Sequence, residues 1–276
     1  ILWVSEYHFN TGFARVSESL LQHLSPHYEI TVLDVHRTHN FIAYGDKMFV
    51  GKKHPDDRLA IDRLTEIFHL YDTVFIIQDS SDIARYLNAM AVSGKTIPNI
   101  VVYFPVDLSG HDKKWYKDFH IVSTAITYTQ FGLDEVKPLL TTKFKGKLKV
   151  IPHGVDTDIF YEVHSDINRQ RMEFLNGSKV FDDCFILLNA NRNQPRKRLD
   201  ITVEAFSIFA KQVPEARLWL HCGITDASMN IVVLINRYGV DKRVALSSTA
   251  HGSVMKFSNK QMNALYNICD VGINSS

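Results

Sequence analysis

A short basic segment, Asn189–Phe206, carries the residue types and spacing best suited to chemistry in this sequence. It reads NANRNQPRKRLDITVEAF, with an apolar run before it and a helical pattern after it. We therefore expect a loop between a strand and a helix. The loop carries four cations: Arg192, Arg196, Lys197 and Arg198. Beside a helix N-terminus, the dipole and free backbone N–H groups add to such charge, so the segment predicts a diphosphate site. Crowding of like charges favours a bound anion, and a solvated basic turn is the alternative.

A second segment, Val150–Phe160, changes direction sharply after an apolar run. It reads VIPHGVDTDIF and places Gly154 two residues before Asp156. Gly154 fits a left-handed turn position, which glycine adopts without steric cost. The alternative is that backbone approaches a ligand closely at this glycine.

Together these segments resemble the retaining glycosyltransferases of the GT-B fold. The family is glycosyltransferase family 4 (glycosyl transferases group 1), which includes sucrose synthases and bacterial mannosyltransferases. It has NGVD…F where the chain crosses between domains, and this chain has HGVDTDIF, with His153 in place of the asparagine. The family then has an Arg and, five positions on, a Lys that bind the donor diphosphate, matched here by Arg192 and Lys197. Its usual glycine after that lysine is Arg198 in this chain.

Other segments extend the resemblance over nearly the whole chain. ARLWLHCG, Ala216–Gly223, is similar to a strand and glycine turn near the nucleotide base, which implies donor contacts for Gly223 and, in a later polar loop, His251. HFNTGFARVSESLLQHL resembles the first loop and helix, which implies roles for His8 and Gly12 near phosphate or acceptor. In YFPVD, Asp107 is expected to orient an acceptor hydroxyl or, alternatively, to cap the following helix.

The resemblance implies transfer of a hexose from a nucleoside diphosphate sugar, with UDP or GDP, to a carbohydrate, lipid or protein hydroxyl, with retention of configuration, in carbohydrate biosynthesis. Arg192 and Lys197 would be the catalytic cations, Gly154 and Asp156 would lie at the interdomain crossing, and no metal or other cofactor is expected. A nucleotide-sugar epimerase of the same fold and a non-catalytic nucleotide-sugar-binding protein are the alternatives. Relatives continue MNALYNICDVGINSS with EGFGL and paired glutamates, so the donor domain is expected to be incomplete here.

Short apolar runs alternate with helical patterns along the chain, which predicts an α/β protein with parallel sheets. The runs TVFII and NIVVYF are apolar throughout, as expected for strands buried on both faces. We predict two Rossmann-like domains facing a cleft, residues 1–155 for the acceptor and residues 156–276 for the donor. A polar hinge region covers Tyr161–Asp183.

Composition and residue spacing bear on the partners, the compartment and the metal content of the protein. The chain has 276 residues, with 31 basic and 30 acidic side chains and a net charge of +1. This balanced charge does not indicate a nucleic-acid partner, which would favour a basic excess. Three widely spaced cysteines without a CxxC pair indicate a reduced, cytoplasmic setting. No apolar run is long enough for a membrane span, although a lipid acceptor would bring peripheral membrane contact. His36 and His39 lack a third ligand nearby, so a metal site is not predicted there.

Overall fold

The structure is a computed structural model that describes residues 1–7, 11–45, 47–163, 184–226, 229–249 and 251–275. The chain divides into two units, Ile1–Gly154 and Val155–Ser276. The sequence predicts this division one residue later, between residues 155 and 156. Most of the predicted hinge lies outside the described residues.

The first unit contains an eight-stranded sheet within the described part of the chain. Its strands are β1 Leu2–Ser5, β2 Thr31–Thr38, β3 Ile42–Tyr44, β4 Lys47–Lys52, β5 Thr73–Ile77, β6 Asn99–Phe104, β7 Thr124–Thr127 and β8 Lys147–Val150. Their order is β3-β4-β2-β1-β5-β6-β7-β8, and only β3 runs antiparallel to its neighbour. The helices are α1 Gly12–Leu24, α2 Ile61–Ile67, α3 Ser80–Val92 and α4 Gln130–Val136, with 3₁₀ turns at Phe68–Leu70, Lys113–Tyr116, Phe119–Ile121 and Lys137–Leu139.

Both faces of this sheet are buried, which explains its continuously apolar strands. Side chains alternate between the two faces of a strand. In β1, Leu2 and Val4 belong to one core cluster, whereas Trp3 belongs to the cluster on the other face. In β6, Val102 and Tyr103 divide between the same two clusters. Helices therefore cover both faces, as expected for a parallel α/β sheet.

The antiparallel pair at one edge of the sheet is absent from the sequence prediction. No strand is predicted between Val35 and Thr73, but β3 and β4 form a hairpin there, with Gly45 at a φ of 60°. β4 also pairs with β2 in parallel. Only its centre, Phe49–Gly51, is fully buried, so its apolar pattern is too short to separate a strand from a loop.

The second unit contains a four-stranded parallel sheet among its described residues. The strands are β9 Phe185–Asn189, β10 Ala216–Leu220, β11 Val244–Leu246 and β12 Val271–Gly272, in the order β11-β10-β9-β12. The helices are α5 Leu199–Gln212, α6 Ile231–Arg237 and α7 Asn259–Ile268, with 3₁₀ turns at Pro195–Lys197 and Asp241–Arg243. Leu187 of β9 packs in the cluster of α5, and Ile186 packs with Leu265 of α7, so helices again lie on both faces.

Helix ends account for the small differences from the predicted boundaries. The sequence predicts the last helix from Gln261, but α7 begins at Asn259. Ser258 is its N-cap and exchanges hydrogen bonds with Gln261 in a capping box, which satisfies backbone N–H groups of the first turn. In the part of the chain that the structure describes, no helix combines the length and apolar character needed to cross a bilayer.

Candidate functional site

The donor-binding candidates of the second unit share one edge of its sheet. Parallel strands bring their carboxyl ends together, and the loops after β9, β10 and β11 carry the candidates. Arg192 and Lys197 follow β9, Gly223 follows β10, and His251 follows β11. The carboxyl edge of an open α/β sheet is the usual place for a ligand.

The basic turn before α5 contains a backbone conformation that favours glycine. Pro195–Lys197 is a 3₁₀ turn, and Arg198 follows with φ 48° and ψ 45°, in the left-handed region. The family that the sequence resembles usually has glycine at this position, and a left-handed conformation is a physical reason for that preference. The Arg198 guanidinium donates to both oxygens of Asp200, at 2.9–3.3 Å. This hydrogen bonding lowers the pKa of the Asp200 carboxyl.

A pair of substitutions at Arg198 tests this conformation. Arg198→Gly and Arg198→Ala both remove the guanidinium, so the main difference between the two variants is the backbone conformation that each residue prefers. We expect R198G to melt a few degrees above R198A, which reverses the usual order of alanine and glycine beside a helix. Thermal unfolding followed by circular dichroism measures the difference. If R198A melts higher, the left-handed conformation does not exist in solution.

Carboxylates offset part of the positive charge in the basic loop. Arg198 pairs with Asp200, and Arg192 pairs with Asp226 through Nε and Nη2 at 3.1–3.3 Å. Arg192 and Arg198 therefore each have a carboxylate partner, and charge repulsion alone does not require an anion. Asp226, 34 positions away along the chain, already pairs with Arg192, so the diphosphate site rests on the position of the loop rather than on crowding and stays a prediction.

The Arg192–Asp226 pair competes with an anion for the guanidinium. The two side chains are 67% and 32% exposed, so the pair contributes at most about 1 kcal/mol. We expect Asp226→Asn to raise affinity for UDP about two- to fivefold, because the carboxylate charge no longer opposes the ligand. Calorimetry measures the change, with Asp241→Asn as a control acid before β11. A weaker complex in D226N would show that Asp226 supports binding.

Asn193 joins the first two loops at this edge and is absent from the predicted site. Its side chain is only 1% exposed, and Nδ2 donates to carbonyl oxygens of Gly223, Ile224 and Met229 at 3.4, 3.0 and 2.8 Å. The neighbour of Arg192 thus holds the loop that carries Gly223. In the sequence, an asparagine among arginines is typical of an exposed loop. Only the burial seen in the structure shows that Asn193 has a structural role.

Gly223 lies where two loops meet closely. A Cβ built on it would stand 3.2 Å from the carbonyl oxygen of Gly252, and Ile224 N–H donates to that same oxygen at 2.7 Å. Glycine is therefore favoured at position 223 by the protein's own packing. The contact also brings His251, the exposed neighbour of Gly252, to the loop of Gly223, so these two candidates lie close together.

The first-unit candidates follow strand ends in their own sheet. Gly12 begins α1, and Thr11 Oγ1 caps that helix by accepting from Ala14 N–H at 3.2 Å. Among the described residues, no atom lies within 4 Å of a Cβ built on Gly12. Asp107 is exposed beyond β6. Its alternative role as a helix cap is wrong, because Asp112 caps the next turn by accepting from Lys114 N–H. His8 lies outside the described residues.

The segment at the unit boundary also differs from one expectation. Gly154 does not have a positive φ, so the left-handed turn explanation is wrong, and no described residue lies within 4 Å of a Cβ built on it. Asp156 forms the turn instead: its Oδ1 accepts from Asp158 N–H at 2.9 Å, and its carbonyl accepts from Phe160 N–H. A side-chain acceptor of this kind replaces the glycine as the source of the change in direction.

His153, which stands where the family has asparagine, packs against aromatic rings. Its ring centroid lies 4.0 Å from that of Tyr128 and 5.5 Å from that of Tyr103. Tyr103 Oη donates to Ile151 O at 2.8 Å and keeps the segment beside β7. Burial lowers the pKa of His153, which favours the neutral form of its ring.

No metal cluster occurs among the described residues, where no three or more histidine, cysteine or acidic side chains group together. His36, one of the two histidines rejected as metal ligands on sequence grounds, lies 3.1 Å from Glu6. Cys184, Cys222 and Cys269 do not form disulfides, and the burial of Cys222 raises the pKa of its thiol to about 12.

Comparison with known proteins finds solved structures of similar fold. No protein-family model matches the sequence, and no curated protein matches it. The trehalose-6-phosphate synthase of E. coli, bound with UDP-2-fluoro glucose, is similar over 98% of this chain and 77% of its own, with TM-score 0.67 and 10% identity. A glycosyltransferase from Rickettsia africae ESF-5 is similar over 100% and 72%, with TM-score 0.69 and 14% identity. The catalytic domain of starch synthase IV from Arabidopsis thaliana, bound to ADP and acarbose, is similar over 98% and 76%, with TM-score 0.63 and 10% identity.

These similarities establish the fold of the chain. The structures are GT-B glycosyltransferases, so the predicted GT-B class is confirmed. At 10–14% identity the likeness extends to the fold and not to the reaction, because one fold supports many activities.

Proposed function

We propose that this protein is a retaining glycosyltransferase that moves a hexose from a nucleoside diphosphate sugar to a hydroxyl acceptor. One observation carries the proposal: Arg192 and Lys197 lie between β9 and α5, at the carboxyl edge of a parallel sheet, in a chain with the GT-B fold. Two structures of similar fold contain UDP-2-fluoro glucose or ADP, ligands with the diphosphate or nucleotide that such a loop would bind.

The chemistry required of this loop is charge neutralisation. Cleavage of the sugar–phosphate bond leaves negative charge on the diphosphate, and preorganised cations stabilise that charge as it develops. Arg192 offers a planar set of donors and Lys197 a compact ammonium, which together suit two phosphate groups. The exposed Arg192–Asp226 pair does not prevent this role, because a diphosphate carries more charge than one carboxylate.

The acceptor would bind at the first unit. No described residue comes within 4 Å of a Cβ built on Gly12, which suits close approach of a ligand to the backbone, and the exposed carboxylate of Asp107 can accept a hydrogen bond from an acceptor hydroxyl. Carbohydrate, lipid and protein hydroxyls all fit this scheme. The scheme uses no metal.

A two-stage experiment on the full-length protein tests the proposal. Thermal shift with UDP-, GDP- and ADP-sugars first ranks the donors, since a ligand of the folded state raises the melting temperature. Incubation of the best donor with hydroxyl acceptors then gives a product whose anomeric configuration is read by NMR. We expect release of nucleoside diphosphate and an unchanged configuration. An epimerised donor without acceptor, or binding without turnover, would contradict the proposal and indicate an epimerase or a binding protein.

A further inference from the structure

We propose that Ser275 is a positioning residue for the basic turn that carries Lys197. The inference rests on the proposed function and concerns its diphosphate-binding loop. Ser275 lies beyond β12, at the same edge of the sheet as that turn. It touches the turn through backbone carbonyls, so it would act on the ligand only through Lys197 and its neighbours.

The contact with the turn is direct and has a defined direction. Ser275 Oγ lies 2.9 Å from the carbonyl oxygen of Lys197 and 2.9 Å from that of Arg198. A carbonyl oxygen only accepts, so the hydroxyl of Ser275 is the donor and its one hydrogen is shared between the two. These are the two carbonyls on either side of the left-handed residue.

The other hydrogen-bond partner of Ser275 links it to the sheet. Thr202 Oγ1 lies 2.8 Å from Ser275 Oγ, and because the Ser275 hydrogen is directed to the carbonyls, Thr202 donates. Thr202 in turn accepts from Asn189 Nδ2 at 2.9 Å. Asn189 is fully buried at the end of β9, and its Oδ1 accepts from both nitrogens of Asn191, which fixes its amide orientation. A chain of hydrogen bonds therefore runs in one direction from the sheet to the turn.

A second set of contacts holds the segment of Ser275 in place. Ile273 N–H donates to Leu188 O at 2.7 Å, and Asn191 Nδ2 donates to Asn274 Oδ1 at 3.2 Å. Ser275 is therefore anchored on β9 and on the loop after it before it reaches the turn. The two residues whose carbonyls it contacts lie 78 and 77 positions away in sequence, so this tether depends on the folded unit.

This geometry gives Ser275 a consequence for ligand binding. A donor shared by two successive carbonyls restrains both peptide planes of the turn, and hence the direction in which the Lys197 side chain leaves the backbone. Arg198 occupies a strained conformation for a residue with a side chain, so the turn needs such external restraint. Loss of the hydroxyl frees the turn to relax, and a shift of about 1 Å in a charged group costs up to about a hundredfold in function.

Binding of phosphate probes to full-length protein tests the inference, with Ser275→Ala and the matched variant Ser275→Thr. We expect S275A to bind inorganic pyrophosphate and UDP about tenfold more weakly in calorimetry, while S275T, which keeps the hydroxyl, stays within about twofold of wild type. Uridine lacks phosphate, so its binding should not change. Equal losses for uridine and UDP would indicate a general structural defect and overturn the inference, as would wild-type affinity in S275A.

Hydrogen exchange separates this inference from the proposed function. We expect amide exchange of residues 196–202 to accelerate in S275A and to return in S275T, whether or not a phosphate ligand binds. Unchanged exchange would overturn the positioning role. If wild type binds none of pyrophosphate, UDP, GDP and ADP, the proposed function fails, and the exchange result alone decides whether Ser275 holds the turn.

Discussion

Replacement of Arg192 or Lys197 by alanine should lower turnover by about tens to thousands of fold with any donor that the protein uses. Each cation would stabilise charge that appears on the diphosphate as the sugar leaves, and loss of one such preorganised group typically has an effect of this size. Transition-state stabilisation is lost more than ground-state binding, so kcat should fall more than affinity for the intact donor. Steady-state release of nucleoside diphosphate measures both quantities.

The control for these variants is Lys211→Ala. Lys211 is exposed near the end of α5, so its removal changes the net charge of the second unit by the same amount far from the basic turn. We expect wild-type turnover in K211A. Normal activity in both R192A and K197A would remove these residues from the mechanism, and an equal loss in K211A would show that net charge, not position, is responsible.

Asn193→Asp should strongly destabilise the second unit, although it changes only one heavy atom of the side chain. The substitution replaces the Nδ2 group, which donates to three carbonyl oxygens at 2.8–3.4 Å, with an oxygen that faces the same three acceptors. Asn193 is 1% exposed, so the new carboxylate would be buried without a donor. Breaking a buried polar arrangement in this way costs about 3 kcal/mol or more at neutral pH.

The pH dependence of N193D follows from the same burial. Desolvation and the facing carbonyls would raise the pKa of the new carboxyl above its unfolded value of about 3.9. Below about pH 3.9 the new carboxyl is protonated in both the folded and the unfolded protein, and the loss of stability is smallest. Between the unfolded and the folded pKa only the unfolded protein ionises, so the free energy of unfolding falls as pH rises. Urea unfolding at pH 4.5 and 7.5 should therefore show a larger deficit relative to wild type at pH 7.5.

Asn230→Asp provides the matched control. Asn230 caps α6 by accepting from the N–H groups of Val232 and Val233, a role in which aspartate is equally effective. We expect N230D to remain within about 0.5 kcal/mol of wild type. If N193D is as stable as N230D at pH 7.5, the three carbonyl contacts of Asn193 do not exist in solution.

Local pattern alone was sufficient for most of the architecture. Thr73–Ile77 is a strand with the bounds of the apolar run TVFII, because an apolar run between polar turns indicates a buried segment. The alternation of strands and helices predicts the α/β class, and the structural comparisons confirm the GT-B fold. The basic loop after β9 was also evident, since charge and spacing are visible in one short segment. Its role in binding diphosphate stays a prediction.

Tertiary structure alone decided how the candidate residues are held. Asp226 pairs with Arg192, Asn193 joins the loops after β9 and β10, and Ser275 contacts the carbonyls of the basic turn. These partners lie between 30 and 78 positions apart, where no sequence period relates them. The sequence alone determines which side chains are apolar or charged and the period with which they recur along each segment. Which distant groups come within about 3 Å depends on how strands and helices pack, and that is settled only in the folded chain.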